Sequence, residues 1–143
     1  MVLVECVVTK TMQTKQNYLL TITEAGMLLY WIFATFVVLE LIQIDPALMY
    51  SDYKNPIIVA WNWSFFPLDV LFAILGLIGR FGPLRPKRKE FLATISLVLM
   101  FCAGLMAISF WLIRGSFDPF WWGTNLWLIA LSTSVLARKF ANS

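Results

Sequence analysis

Long apolar runs, separated by short polar connections, dominate the chain. Four of these runs are long enough to cross a membrane as helices, because a hydrocarbon core of ~30 Å needs roughly 20 helical residues. Since short connections favour antiparallel neighbours, the pattern predicts an all-α, polytopic membrane protein with four transmembrane helices in an up-down bundle. The predicted spans cover about residues 19–39, 56–78, 91–113 and 119–137, within a membrane domain at 19–143 that follows an N-terminal tail at 1–18.

The composition also indicates a membrane protein. Hydrophobic residues make up 60% of the 143 residues and charged residues only 13%, against ~25% charged residues in soluble domains. One short domain cannot bury so much apolar surface in its own core, so the excess must face the lipid bilayer. The sequence has no His, the commonest general base and metal ligand, and Cys6 and Cys102 lie in different environments. It therefore predicts no catalytic residues, no metal site, no cofactor and no nucleic-acid partner.

The basic residues are distributed asymmetrically over the predicted topology. Lys54 and Arg114 lie on one side of the membrane. The other nine of the eleven basic residues lie on the side of the termini, namely Lys10, Lys15, Arg80, Arg85, Lys87, Arg88, Lys89, Arg138 and Lys139. The positive-inside rule therefore predicts that both termini are cytoplasmic. The N-terminal stretch lacks the features of a signal peptide, and Met1 and Met12 are both candidate start residues.

The second span carries polar residues near its middle. Among them are Asn62 and Asp69, and a rise of ~1.5 Å per residue places the Asp69 carboxylate close to the bilayer midplane. A carboxylate at this depth is unfavourable and marks a ligand or proton site by default. The alternative is a protonated, hydrogen-bonded acid that holds helices together. Asn62 lies seven residues earlier and hence on the same helix face.

Polar residues in two other spans extend this candidate site. Glu24 lies inside the cytoplasmic end of the first span, with Trp31 on the same helix face. Glu24 and Asp69 are therefore expected to line one cavity that opens inward. The alternative is that Glu24 merely reaches the aqueous boundary. Asn125 in the fourth span is a candidate to complete a polar seam in the interior.

Aromatic residues cluster near the same segment. A cage for a cation or a flat lipophile could form beside a buried carboxylate from four indoles, those of Trp31, Trp61, Trp63 and Trp111. The alternative is ordinary core packing, which buried indoles also favour. The candidate ligand-binding or proton-site residues are thus Asp69, Asn62, Glu24, Trp31, Trp61, Trp63, Phe66 and Asn125.

Several short motifs carry a resemblance to a known family. They are Glu24-Ala-Gly26, Tyr30-Trp31, Tyr50-Ser-Asp-Tyr53, Asn55-Pro56 and Trp61-Asn-Trp-Ser-Phe-Phe-Pro-Leu-Asp69. With these motifs the chain resembles the YvaD-like family of small bacterial four-helix membrane proteins, chiefly from about Leu19 to Gly82. The resemblance implies a protein of the bacterial plasma membrane, and it implies no activity because the family has no assigned function.

The leading hypothesis is a protein that binds a lipophilic or cationic small molecule in an intramembrane pocket around Asp69. In such a pocket, polar groups orient the ligand and aromatic rings bury it. A second hypothesis is a proton-coupled small-molecule transporter that acts as a homodimer and exchanges a proton at Asp69 or Glu24. A third is an accessory subunit that binds another membrane protein. An enzyme is the least supported class, because no catalytic constellation is recognisable.

Overall fold

The computed structural model describes residues 2–44, 52 and 54–141. These residues form no strand and fold into the helices α1 Val2–Val38, α2 Pro56–Ser64, α3 Phe66–Phe81, α4 Pro86–Arg114 and α5 Pro119–Ala141. A single residue separates α2 from α3, so these two helices together form the second predicted span. The prediction of an all-helical chain with four helical segments is therefore confirmed.

Three of the described segments are long and apolar enough to cross a membrane. They are Met12–Val38 within α1, Pro56–Phe81 across α2 and α3, and Pro86–Arg114, which is α4. The helix α5 is also long, with 23 residues, but tryptophan, hydroxyl and amide side chains interrupt its apolar run. The fourth span at 119–137 therefore stays a prediction.

The helices pack in the order α1, α3, α4, α5, and each is antiparallel to the next. Glu24 of α1 lies against Arg80 of α3, and Trp31 lies against Asp69, so residue numbers rise along α1 as they fall along α3. The same relation holds for the other neighbouring pairs, as shown by the contacts Ser96–Phe72, Trp61–Trp111, Lys139–Thr94 and Trp111–Trp121.

The second span breaks at Phe65. Pro67 in the first turn of α3 has no backbone N–H, so the regular hydrogen-bond ladder cannot pass this point. The Phe65 N–H donates to the Asn62 carbonyl at 3.1 Å, and the Phe65 carbonyl accepts the Asp69 N–H at 2.8 Å. The break therefore places Asp69 in the first turn of α3, where the helix dipole favours a negative charge.

The helix α1 begins well before the span predicted for it. Leu20 is buried, whereas Lys15, Asn17 and Tyr18 are exposed. The antiparallel register places Leu20 level with Arg80, in the last turn of α3. The N-terminal part of α1 therefore continues as a helix past the end of α3, through the segment predicted as a tail.

Candidate functional site

The carboxylate of Asp69 lies at the interface between α1 and α3. Asp69 is only 7% exposed, and its Oδ2 accepts a hydrogen bond from Nε1 of Trp31 at 3.0 Å. Among the described residues, no Lys or Arg forms an ion pair with it. A negative charge on Asp69 is therefore not balanced within this part of the chain.

Three aromatic rings pack together, and one of them, Trp31, contacts this carboxylate. The ring centroid of Trp31 lies 5.3 Å from that of Trp63 and 5.2 Å from that of Phe66, and the last two are 5.9 Å apart. Trp31 is buried, Trp63 is half-buried and Phe66 is 38% exposed. Asp69, Trp31, Trp63 and Phe66, called the Asp69 site below, therefore extend from the interior of the helix assembly to its surface.

Trp61 belongs to a different aromatic cluster. Its ring stacks on Phe110, with centroids 4.0 Å apart and 18° between the planes, and it contacts Trp111 and Trp121 at 5.7 and 5.8 Å. Residues two apart on an α-helix point about 200° away from each other, and this separates Trp61 from Trp63. The aromatic residues predicted as one cage thus fall into two groups, and Trp61 lies outside the Asp69 site.

Glu24 lies at the same helix interface but has a cationic partner. Its side chain is fully buried and forms an ion pair with Arg80 in the last turn of α3. Ser96 Oγ on α4 lies 3.5 Å from Glu24 Oε1 and donates to the Phe72 carbonyl at 2.7 Å. A Cβ atom on Gly76 would overlap the Glu24 carboxylate, so this glycine makes room for the pair. Glu24 therefore does not reach the aqueous boundary.

Arg80 is the residue of this interface that the sequence analysis missed. Its position beside the basic connection between two spans suggests a role in topology alone. A signal for the ion pair nevertheless exists, because a buried acid in an apolar span needs a compensating cation. Because α1 and α3 are antiparallel, a cation at the level of Glu24 must come from the C-terminal part of α3. Arg80, four residues after Gly76, fulfils this condition.

The two predicted asparagines are not hydrogen-bonded to Asp69. Asn62 is buried, and its Oδ1 has no hydrogen-bond partner among the residues that the structure describes. Asn125 is also buried, and its Nδ2 donates to the Trp121 carbonyl at 2.8 Å within α5. The polar seam predicted between the second and fourth spans is thus not formed by direct hydrogen bonds of these side chains.

The Asp69 site combines a carboxylate with three aromatic rings. The faces of such rings attract cations through their quadrupole. In the described part of the chain, no group of three or more His, Cys, Asp or Glu residues could hold a metal ion. The site thus contains aromatic rings, which can contact an organic cation, and a carboxylate, which can accept a proton.

Comparisons with known proteins identify the family. The profile of the "Family of unknown function (DUF5360)" matches residues 16–142, and the chain belongs to this family. The chain is 39% identical over 110 residues to the "Uncharacterized protein YvaD" of Bacillus subtilis (strain 168), which covers 76% of this chain and 78% of that relative. The resemblance to YvaD-like proteins is therefore confirmed. No solved structure matches the chain.

Proposed function

We propose that this member of a family of unknown function is a multi-pass protein of the bacterial plasma membrane with both termini in the cytoplasm. Three described segments are apolar and long enough to cross a membrane, and the relative comes from a bacterium. The clustering of Lys and Arg on the side of the termini supports the orientation.

Labelling with a membrane-impermeant thiol reagent tests this topology. In a variant that lacks Cys6 and Cys102, a cysteine introduced by Ser116→Cys is expected to react in intact cells. A cysteine introduced by Asn142→Cys is expected to react only after the cells are opened. The reverse pattern, or labelling of both positions from outside, would contradict the orientation.

Within the membrane, the protein binds a lipophilic organic cation at the Asp69 site. The observation that carries this proposal is a buried carboxylate that has no ion-pair partner in the described chain and is hydrogen-bonded to Trp31, whose ring packs on Trp63 and Phe66. The same interface supplies Arg80 as a counter-ion for Glu24. The fold thus compensates one buried acid internally and leaves the other to a ligand.

A bound organic cation would offset the main energetic cost of the site. An ionised carboxylate removed from water is strongly destabilising unless a charged or hydrogen-bonding partner compensates it. A cation above an aromatic face gains about 0.5–2 kcal/mol. A lipophilic cation also enters from the membrane without losing a tightly bound hydration shell, which favours it over a small inorganic ion.

The geometry offers such a ligand both a contact atom and an approach. Trp31 donates its hydrogen bond to Oδ2 of Asp69, so a ligand that binds Oδ1 would not need to displace it. Phe66 is the most exposed ring of the site and Trp63 is half-buried. Movement of Phe66 would therefore open a lateral path from the surface of the helices to the carboxylate.

Equilibrium dialysis with radiolabelled tetraphenylphosphonium tests the proposal on the detergent-purified protein. We expect Asp69→Asn to weaken binding by about tenfold or more, which corresponds to about 1.4 kcal/mol, and Trp63→Leu to weaken it as well. Matched controls are Glu90→Gln, which removes an exposed carboxylate, and Trp61→Leu, which alters the other aromatic cluster. Equal binding by the wild type and the Asp69→Asn variant would contradict the proposal.

Proton-coupled transport by a homodimer is a second candidate function. It is favoured by the position of Asp69 directly after the break at Phe65, because discontinuous helices carry substrate and ion sites in transporters. Glu24 is less suited to proton exchange, since Arg80 holds it in an ion pair. Tetraphenylphosphonium-dependent proton flux into reconstituted vesicles, lost in Asp69→Asn, would support transport. Binding without flux would support a binding protein alone.

A further inference from the structure

A groove lies at the end of the helices opposite the basic connection, away from the Asp69 site. It has a volume of about 330 Å³, within the range of roughly 300–1,000 Å³ that is typical of small-molecule sites. It runs between the first turn of α2 and the last turn of α4, and its lining residues are Asn55, Ile57, Ile58, Phe110, Ile113 and Arg114.

The walls of the groove are apolar. Ile58 is buried at its base, whereas Ile57 and Ile113 are 74% and 87% exposed at its rims. In a membrane protein, the solvent next to such a surface is the acyl chain of a lipid. An acyl chain is therefore the group whose chemistry and surroundings match the groove.

A pair of opposite charges lies at one end of the groove. Arg114 forms an ion pair with Asp52, and Nδ2 of Asn55 donates a hydrogen bond to Asp52 Oδ2 at 3.2 Å. The Arg114 guanidinium also lies 5.7 Å from the centroid of the Trp111 ring, which helps to hold it in place. Both charged side chains are partly exposed, so a ligand outside the groove can still contact them.

We propose that this groove binds one zwitterionic phospholipid whose headgroup carries a primary ammonium. The Arg114 guanidinium binds the lipid phosphate, the Asp52 carboxylate binds the ammonium, and an acyl chain lies between α2 and α4. The site is independent of the ligand proposed at Asp69, because the two sites share no residue.

The charge pair favours a zwitterionic headgroup over an anionic one. The planar guanidinium of Arg binds phosphate oxygens through two parallel hydrogen bonds. An anionic phosphoglycerol headgroup would satisfy Arg114 but would bring its phosphate beside the Asp52 carboxylate, and this headgroup carries no positive group of its own. A primary ammonium supplies that positive group and can donate hydrogen bonds, whereas a quaternary ammonium cannot donate any.

Native mass spectrometry of the purified protein tests the proposal. The protein is mixed with equal amounts of phosphatidylethanolamine, phosphatidylglycerol and phosphatidylcholine with identical acyl chains. We expect one phosphatidylethanolamine to remain bound to the wild type in preference to the other two. Asp52→Asn is expected to remove the preference over phosphatidylglycerol, and Arg114→Gln to lower the retention of all three lipids. Arg88→Gln is the matched control, since Arg88 is exposed at the opposite end.

The competition on the wild type decides the proposal even when a variant folds poorly. Equal retention of phosphatidylglycerol and phosphatidylethanolamine by the wild type would overturn it. Retention of phosphatidylethanolamine by Arg114→Gln at the level of Arg88→Gln would also overturn it. A loss of lipid in Arg114→Gln with unchanged helical content by circular dichroism would support it.

Discussion

Glu24 and Asp69 are two buried carboxylates on the same interface between α1 and α3, and they have different partners. Glu24 on α1 forms an ion pair with the guanidinium of Arg80. Among the described residues, the partner of the Asp69 carboxylate on α3 is the indole N–H of Trp31. Both acids incur the cost of leaving water. The first is compensated by a charge from the neighbouring helix, and the second has no ion-pair partner among the residues that the structure describes.

Position along the helices explains this difference. Arg80 lies in the last turn of α3, next to the basic connection that follows, so its long side chain reaches Glu24 from the end of the span. Asp69 lies three turns earlier. At this level of the helices, the described parts of α1, α3 and α4 contain no Lys or Arg. A cation that pairs with Asp69 at this depth would have to come from outside the described part of the chain.

The largest expected effect is that of Arg80→Gln. This substitution leaves Glu24 buried without a cation, and breaking a buried ion pair in this way costs about 3–5 kcal/mol. The free energy of unfolding, measured by titration of the micelle-solubilised protein with sodium dodecyl sulfate, is expected to fall by an amount in that range.

A double variant distinguishes the ion pair from a general effect of Arg80. Replacing both partners, in Glu24→Gln with Arg80→Gln, is expected to restore most of the lost stability, because no buried charge is then left unpaired. If Arg80→Gln alone is as stable as the wild type, or if the double variant is less stable than either single one, the account of Glu24 is wrong.

An intermediate effect is expected from Gly76→Ala. The added Cβ atom would overlap the Glu24 carboxylate, and such overpacking typically costs about 1–3 kcal/mol. Gly26→Ala on α1 is the matched control, because no atom lies within 4 Å of its added Cβ. The same unfolding titration is expected to show a loss for Gly76→Ala and none for Gly26→Ala. An equal free energy of unfolding for the two variants would show that the contact between α1 and α3 does not require a glycine at position 76.

The smallest expected effect on stability is that of Asp69→Asn. The new side-chain oxygen can accept the same hydrogen bond from Trp31 Nε1, and no cationic partner is left unpaired. The free energy of unfolding without ligand is therefore not expected to fall by more than about 1 kcal/mol, and a rise would reflect the removal of an uncompensated buried charge. A loss as large as that of Arg80→Gln would show that Asp69 balances a charge inside the protein, contrary to the comparison above.

Sequence patterns predicted the helices and singled out both acids of this interface. The apolar runs indicated three segments that the structure also shows as long apolar helices, and Asp69 was detectable as a charge within such a run. The partner of Glu24 was not predicted, because Arg80 belongs by sequence to a basic cluster that the topology already explains. The ion pair could have been predicted from two features together. The antiparallel register brings the end of α3 to the level of Glu24, and Gly76 leaves room for the carboxylate.

The grouping of aromatic residues was harder to predict. The chain has seven Trp residues, and which rings meet depends on the rotation of each helix about its axis. Positions 61 and 63 are rotated by about 200° about the helix axis. This rotation was enough to predict that Trp61 and Trp63 lie in different clusters. Trp31 packs with Phe66 instead of Phe65 because of the break between α2 and α3. The geometry of this break depends on how the helices pack, so the sequence alone did not predict it.

Native mass spectrometry of the protein, purified in mild detergent, beside its Asp69→Asn variant tests directly whether Asp69 binds a cation. We expect a small cationic mass bound to the wild type, or tetraphenylphosphonium when it is added in excess, and its loss from the variant. Arg114→Gln, which alters the distant groove, is expected to retain that mass. The same bound mass on the Asp69→Asn variant, or a bare wild-type protein even with excess tetraphenylphosphonium, would contradict the claim that Asp69 binds a cation.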